Sequence, residues 1–130
     1  MKKAAQNWFD SASYDLRTAQ TLFVSGRYLY VVFMCHLAIE KMLKAVVAER
    51  TGQMPPKTHS LMRLADLTKV ELPDDHAPII KHLDGASVPI RYPSDLKELQ
   101  RTYTRKATAA ILQQTRDLLR WLKKTLSPKP

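Results

Sequence analysis

Residues 28–50 read YLYVVFMCHLAIEKMLKAVVAER, and the first half of this stretch is apolar on nearly every side of a helix. A helix of that kind lies in the middle of a bundle or at a subunit interface, because no side of it is suited to water. Ser25-Gly26 precedes the stretch, and a Thr-Gly-Gln-Met-Pro-Pro segment follows it. Glycine is a common helix cap and proline cannot continue a helix, so we predict a central helix from about Tyr28 to Arg50.

The rest of the chain also shows helical spacing of its apolar residues, and no alternating strand pattern bounded by turns occurs. Further helices are predicted over these residues: 3–24, 61–68, 77–83 and 94–124. Thr58 or Ser60 is expected to cap the third helix, and Ser94 or Asp95 the last. Residues 85–93 are expected to form a loop, and residues 127–130 a frayed tail. The sequence therefore predicts one all-α domain over residues 1–126, an up-and-down antiparallel bundle of about five helices.

Composition limits the functional classes that need to be considered. The chain carries 21 Lys and Arg against 12 Asp and Glu, a net charge of +9, which favours an anionic partner. A single cysteine, Cys35, cannot form an internal disulfide, and it lies in so apolar a stretch that we expect it to pack in the core. The four histidines lack the spacing of zinc sites, so no metal or other cofactor is predicted. Since the start of the chain lacks the apolar region of a signal peptide and no run reaches a membrane span of about 20 residues, a cytoplasmic location is expected.

The last predicted helix carries most of the excess charge along one half of its helical wheel. We call this set the cationic stripe, and it consists of Lys97, Arg101, Arg105, Lys106, Arg116, Arg120, Lys123 and Lys124. Only Glu98 and Asp117 are acidic in this region, whereas a solvated helix normally mixes the two signs. The stripe is either a solvated outer face or a surface for RNA or an acidic partner protein.

Four segments, taken together in their order and spacing, resemble the HEPN family. They are Trp8-x3-Ala12-x2-Asp15-Leu16-x2-Ala19, then Gly26-Arg27-Tyr28 with Ala38-Ile39-Glu40-Lys41-Met42-Leu43-Lys44-Ala45, then Thr58-His59-Ser60-Leu61, and Arg91-Tyr92-Pro93. The resemblance covers about residues 5–122. It implies a helical bundle that forms a homodimer and is often encoded beside a nucleotidyltransferase, and many relatives are ribonucleases with an Arg-x4–6-His motif.

The chain departs from that ribonuclease motif. None of its four histidines follows Arg91, so the arginine lacks the usual histidine partner. Arg91 remains a candidate for phosphate binding or charge stabilisation, and Tyr92 for stacking on a base. The alternative for both is structural, with Tyr92 filling the end of the bundle and Arg91 paired with a carboxylate. His59 is the candidate substitute as general acid or base, although it could equally cap or pack under the third helix.

Two carboxylates fall on faces that the helical wheel predicts to be buried or nearly so. Asp15 lies at the edge of the apolar arc of the first helix, and Glu40 lies in a polar line with His36 and Lys44 on the central helix. A buried carboxylate needs a cationic or donor partner. Glu40 and Lys44 therefore form either an ordinary surface pair or part of a site in which Asp15 or Glu40 holds a cation such as Arg91.

Three functions remain open on these grounds. The first is a nucleotide- or RNA-binding or regulatory partner of a minimal nucleotidyltransferase, as in a toxin–antitoxin module. The second is a metal-independent ribonuclease with a degenerate motif. The third is an RNA- or nucleotide-binding domain that has no fixed partner protein.

The nearly all-round apolar start of the central helix predicts self-association through that helix or the last one. We expect light scattering at micromolar concentration to give a mass of about twice 14.9 kDa. A single-chain mass at every concentration would contradict the predicted homodimer.

Overall fold

The computed structural model describes residues 1–92 and 94–126, apart from the side chains of Ser87 and Arg91, and the tail predicted over residues 127–130 lies outside the described residues. These residues form a bundle of six helices and no strand, which confirms the predicted all-α class. In chain order the helices are α1 (Lys3–Val24), α2 (Tyr28–Thr51), α3 (Leu61–Thr68), α4 (Ala77–Arg91), α5 (Leu96–Thr102) and α6 (Arg105–Leu126). None of them is both long enough and apolar enough to cross a membrane.

Helix α2 is the central element, since it contacts each of the other five helices. Fourteen of its 24 residues are buried, from Val31 to Ala48, so α2 lies in the middle of the bundle, one of the two positions that its apolar pattern predicts. Gly52 ends the helix in the left-handed region, with φ +70°, where a side chain would be strained. The prolines that follow then carry the chain away from the helix axis.

Helix α1 forms the most extensive contact with α2. Its residues Ala5, Ala12 and Ala19 are fully buried at a seven-residue spacing, so small side chains line the contact and the two backbones approach closely. Gly26, with φ +77°, reverses the chain between the two helices as predicted. A second face of α1 packs against α6.

The loop predicted over residues 85–93 is wrong for most of its length, because α4 continues to Arg91. Ile79, Leu83, Ala86 and Ile90 are all buried, so one apolar face runs through the whole helix. Pro89 lies inside it but is exposed, and the burial of this face outweighs the local preference of Gly85 and Pro89 to end a helix.

The single last helix predicted from Ser94 to Lys124 is also wrong, because the chain breaks between α5 and α6. The backbone of Tyr103 is not helical, with φ −96° and ψ 69°. The residue is only 6% exposed, and its ring packs in the core. The Thr104 hydroxyl then accepts a hydrogen bond from Ala107 N–H at 3.2 Å, which starts a new helix. Asp95 caps α5 through Glu98 N–H, one of the two predicted alternatives.

The start of α3 is capped by its own N-cap serine and by a carboxylate of α4. Ser60 Oγ accepts from Arg63 N–H at 3.2 Å, so of the two predicted cap residues it is Ser60 that serves. In addition, the Asp84 carboxylate of α4 accepts from the backbone N–H groups of Leu61 at 2.8 Å and Met62 at 3.3 Å. An anion at a helix N-terminus satisfies free N–H groups and stabilises the helix dipole, so α4 holds α3 and the residues just before it in place.

Candidate functional site

Glu40 lies at the centre of a buried polar cluster between α2 and the segment before α3. Its carboxylate is buried, with the residue 4% exposed. Lys44 Nζ donates to Glu40 Oε2 at 3.1 Å, and His59 Nδ1 lies 3.1 Å from both carboxylate oxygens. His36 Nδ1 lies 3.8 Å from Oε1 on the preceding turn of α2. We call His36, Glu40, Lys44 and His59 the Glu40 cluster.

The helical spacing of α2 accounts for most of this cluster. His36, Glu40 and Lys44 are four residues apart, so they follow one another along a single face. That face is covered by the neighbouring helices, and Lys44 is only 6% exposed, with its ammonium 5.2 Å from the centre of the Trp8 ring. The Glu40–Lys44 pair is thus present but buried, and the interpretation as an ordinary surface pair is wrong because Trp8 and the His59 segment cover it.

Asp15 has its own cationic partner. Lys41 Nζ lies 2.8 Å from Asp15 Oδ2 and also donates to Ser11 Oγ at 2.8 Å. Lys41 belongs to the EKMLK segment, yet the sequence did not single it out as the partner of Asp15. A helical wheel shows which side chains share a face of one helix, but it does not show which residue of another helix comes opposite them.

The structure describes only part of the Arg91-Tyr92-Pro93 segment. The Arg91 side chain and Pro93 lie outside the described residues, so the proposed phosphate-binding and catalytic roles of Arg91 remain predictions. Tyr92 is 79% exposed, so it does not fill the end of this bundle, and the structural alternative given for it is wrong. Its predicted stacking role also remains a prediction.

The geometry of His59 is that of an imidazole held at one nitrogen. Glu40 contacts Nδ1, while the side chain is 64% exposed. When Nδ1–H donates to the carboxylate, the neutral ring carries its lone pair at Nε2, where a proton can be accepted. A buried carboxylate that fixes one ring nitrogen is the arrangement that orients a histidine general base. His82 lies elsewhere, with Nε2 3.3 Å from the Tyr103 hydroxyl oxygen.

Cys35 is fully buried, as expected for core packing. Burial raises the pKa of its thiol to about 11, although a hydrogen bond with Thr115 and the charge of Arg116 act in the opposite direction. Since the thiolate is the reactive form, Cys35 is not a nucleophile at neutral pH. Among residues 1–92 and 94–126, no three His, Cys, Asp or Glu side chains converge as metal ligands do.

A second feature is a groove of about 480 Å³ between α1 and α6, which we call the α1–α6 groove. Four cationic residues line it: Arg17 from α1, and Arg116, Arg120 and Lys123 from α6. Its apolar part consists of Phe9, Leu16, Met42 and Leu119. The groove thus combines several positive charges with an apolar surface.

The cationic stripe predicted from the sequence is divided by the break between α5 and α6. Arg101 lies on α5, whereas Arg105 packs over the Phe23 ring, 5.0 Å from its centre. Arg116, Arg120 and Lys123 remain together and line the groove. The predicted stripe requires one continuous helix over residues 97–124, whereas the turn at Tyr103-Thr104 changes the direction of the chain between α5 and α6.

Sequence reasoning missed Arg17 and Gln20, which come to the groove from α1. The Gln20 amide oxygen, in the orientation that satisfies both groups, accepts from Arg116 Nε at 2.9 Å and Nη2 at 3.2 Å. This contact holds the Arg116 guanidinium at the edge of the groove. One sequence feature pointed to Arg17. It is the one arginine of α1, and it directly follows Leu16, which lies on the apolar arc of that helix.

Comparison with known proteins places this geometry among related structures. A model of the HEPN domain family matches residues 5–125. The crystal structure of TT1696 from Thermus thermophilus is 30% identical, with a TM-score of 0.80 over 95% of this chain and 98% of that one. The crystal structure of ST0689, an archaeal HEPN homologue, is 23% identical, with a TM-score of 0.77 over 97% of this chain and 100% of that one. No curated protein matches the chain.

The Glu40–Lys44 pair gives a test of the buried cluster. Replacing Glu40 by Gln leaves the Lys44 ammonium buried without its counter-charge, and we expect the free energy of unfolding to fall by about 3–5 kcal/mol. The double variant Glu40→Gln/Lys44→Met removes both charges and should recover more than half of that loss. Urea denaturation measures both, with Glu71→Gln, a change at an exposed carboxylate, as the control. Equal losses in the single and double variants would contradict the coupling.

Proposed function

Because the chain belongs to the HEPN family, we propose that it binds an anionic ligand, RNA or a nucleotide, as the regulatory partner of a nucleotidyltransferase. The observation that carries the binding half of the proposal is the α1–α6 groove. It gathers four cationic side chains from two helices around an apolar surface. Such convergence distinguishes a binding site from a merely soluble basic face, on which charges are dispersed.

The chemistry of the groove suits phosphate groups. Three of its four cations are arginines, whose planar guanidinium groups can donate two parallel hydrogen bonds to phosphate oxygens. Gln20 already restrains Arg116, so less side-chain entropy is lost when a ligand binds. The neighbouring carboxylate of Asp117 is part-exposed and lies 3.7 Å from Arg120, and it offsets only one of the four positive charges. An anion would therefore be attracted and held by several charges at once.

The regulatory half of the proposal rests on family membership. We expect a homodimer and a nucleotidyltransferase encoded beside the gene, as in a toxin–antitoxin module, with both proteins in the cytoplasm. A nucleotidyltransferase reading frame next to the gene and a stable complex in a pull-down are the observations this requires. A gene neighbourhood without such an enzyme would contradict the partnership and leave the binding half standing.

Replacing Arg116, Arg120 and Lys123 by Ser should weaken the binding of single-stranded RNA. For single strands, log Kobs falls with log salt, and each phosphate contact adds about 0.7 to the steepness of that fall. Loss of three contacts should therefore make the slope shallower by about 2. Fluorescence anisotropy across a salt series measures this. The matched control replaces Lys97, Arg101 and Lys106 by Ser, which removes the same charge from exposed positions outside the groove.

The two triple variants separate the possible outcomes. A loss confined to the groove variant supports the proposal. An equal loss in both variants would show that only the total charge matters and would overturn the assignment of the groove. Absence of binding by the wild-type protein at low salt would overturn the binding function itself.

A metal-independent ribonuclease is the second candidate, and the geometry of His59 favours it. Cleavage of RNA needs a base for the 2′-hydroxyl and a cation for the developing negative charge. Glu40 fixes Nδ1 of His59 while the ring stays exposed, so Nε2 is available as that base. Arg91 would be the cation in the family pattern, but it has no histidine after it in the sequence.

We expect purified protein to cleave RNA at most weakly in EDTA, because the arginine–histidine spacing of active relatives is absent. Any true activity should fall by about 10²–10⁴-fold in His59→Ala, the usual contribution of proton transfer. His82→Ala serves as the matched control, since His82 contacts Tyr103 rather than a carboxylate. Cleavage that survives His59→Ala would rule out His59 as the base, and vigorous His59-dependent cleavage would promote this candidate to the main function.

A further inference from the structure

The α1–α6 groove is one part of a longer surface along the same two helices. On a helical wheel, Phe9, Leu16, Gln20 and Phe23 of α1 fall within about 60° of one another. On α6, Arg105, Arg116 and Lys123 fall within about 20°. The two sets face each other where the helices pack, so aromatic and apolar side chains of α1 lie beside cations of α6.

Three contacts mark this surface from one end to the other. Lys123 Nζ lies 5.7 Å from the centre of the Phe9 ring, Arg116 is held by Gln20, and Arg105 lies 5.0 Å from the centre of the Phe23 ring. Phe9 and Phe23 are fourteen residues apart on one helix, which corresponds to about 21 Å. A length of this kind matches the smallest single-strand binding sites, which hold about four nucleotides.

The surface ends at a cavity lined by tyrosines, which we call the tyrosine cavity. The rings of Phe23 and Tyr28 are in contact, with centres 5.6 Å apart and planes tilted by 49°. Tyr28 also lines a cavity of about 360 Å³ together with Arg27, Tyr30, Gln100 and Tyr103. The residues that line this cavity include three tyrosines, one glutamine and one arginine, residue types that stack on or hydrogen-bond to a nucleobase. Its volume lies within the range of small-molecule sites, about 300–1,000 Å³.

We propose that this surface is a track for single-stranded RNA, with the phosphates over Lys123, Arg116 and Arg105 and a terminal base in the tyrosine cavity. The inference rests on the proposed anion-binding function and adds the ligand class and its path. Alternating cations and aromatic rings along an extended groove are the features that single-strand binding sites share. In a duplex the bases are stacked inside the helix and could not enter the cavity. A mononucleotide would occupy only one end of the track.

A series of labelled oligouridylates of one, two, four, six and eight nucleotides tests this proposal by fluorescence anisotropy at low salt. We expect affinity to rise steeply up to about four to six nucleotides and then to level off. A blunt RNA duplex of equal charge should bind more weakly than the single strand.

The variant Tyr30→Ser tests the cavity, since Tyr30 is 59% exposed and its loss should leave the fold intact. It should weaken the six-nucleotide ligand about tenfold and leave the dinucleotide nearly unchanged, because only the longer ligand spans groove and cavity. Tyr14→Ser is the matched control, as Tyr14 is 70% exposed and lines neither the groove nor the cavity. Arg105→Ser, at the junction, should also affect only the longer ligands.

The outcomes distinguish this inference from the proposed function. Affinity that does not depend on length, or tighter binding of the duplex, would overturn the track while leaving the groove as a phosphate site. An equal effect of Tyr30→Ser on all lengths would overturn the placement of the terminal base. Failure of every ligand to bind at low salt would overturn both the track and the anion-binding function.

Discussion

The burial of α2 on nearly all sides is the constraint on which the rest of the structure depends. A helix that contacts five others has little surface left for solvent, so every polar group on it must be satisfied by protein. Glu40, Lys44 and His36 are buried together on this helix, and His59 completes the cluster from the segment before α3. The packing that forms the core of the bundle therefore also buries the Glu40 cluster.

The carboxylates buried in the bundle have lysines as their cationic partners. The two carboxylates buried along α1 and α2 are each paired with a lysine of α2, Asp15 with Lys41 and Glu40 with Lys44. These pairs remove negative charge from the vicinity of the core without using the arginines. Arg17, Arg105, Arg116 and Arg120 lie along the line where α1 meets α6.

The contacts of α1 with the α2 lysines and its contacts with the cations of α6 are made by different faces of the helix. Trp8 and Asp15 contact the α2 lysines, whereas Phe9, Gln20 and Phe23 contact cations of α6. Because the α1–α6 groove and the Glu40 cluster consist of different side chains, variants of the groove and of His59 address different questions.

The sequence by itself determined the helical class, the central position of α2, the burial of Cys35 and a choice of two cap residues for each of two helices. These properties depend on local periodicity and on side-chain hydrogen bonds to nearby backbone, and both can be read from neighbouring residues. Only the tertiary structure decided that α4 continues through Gly85 and Pro89, and that the last helix breaks at Tyr103. In each case the burial of Ile90 or of the Tyr103 ring against other helices outweighed a local preference. The tertiary structure also brought Gln20 to Arg116 and His59 to Glu40, since contacts between distant segments depend on how helices pack and leave no periodic signal in the chain.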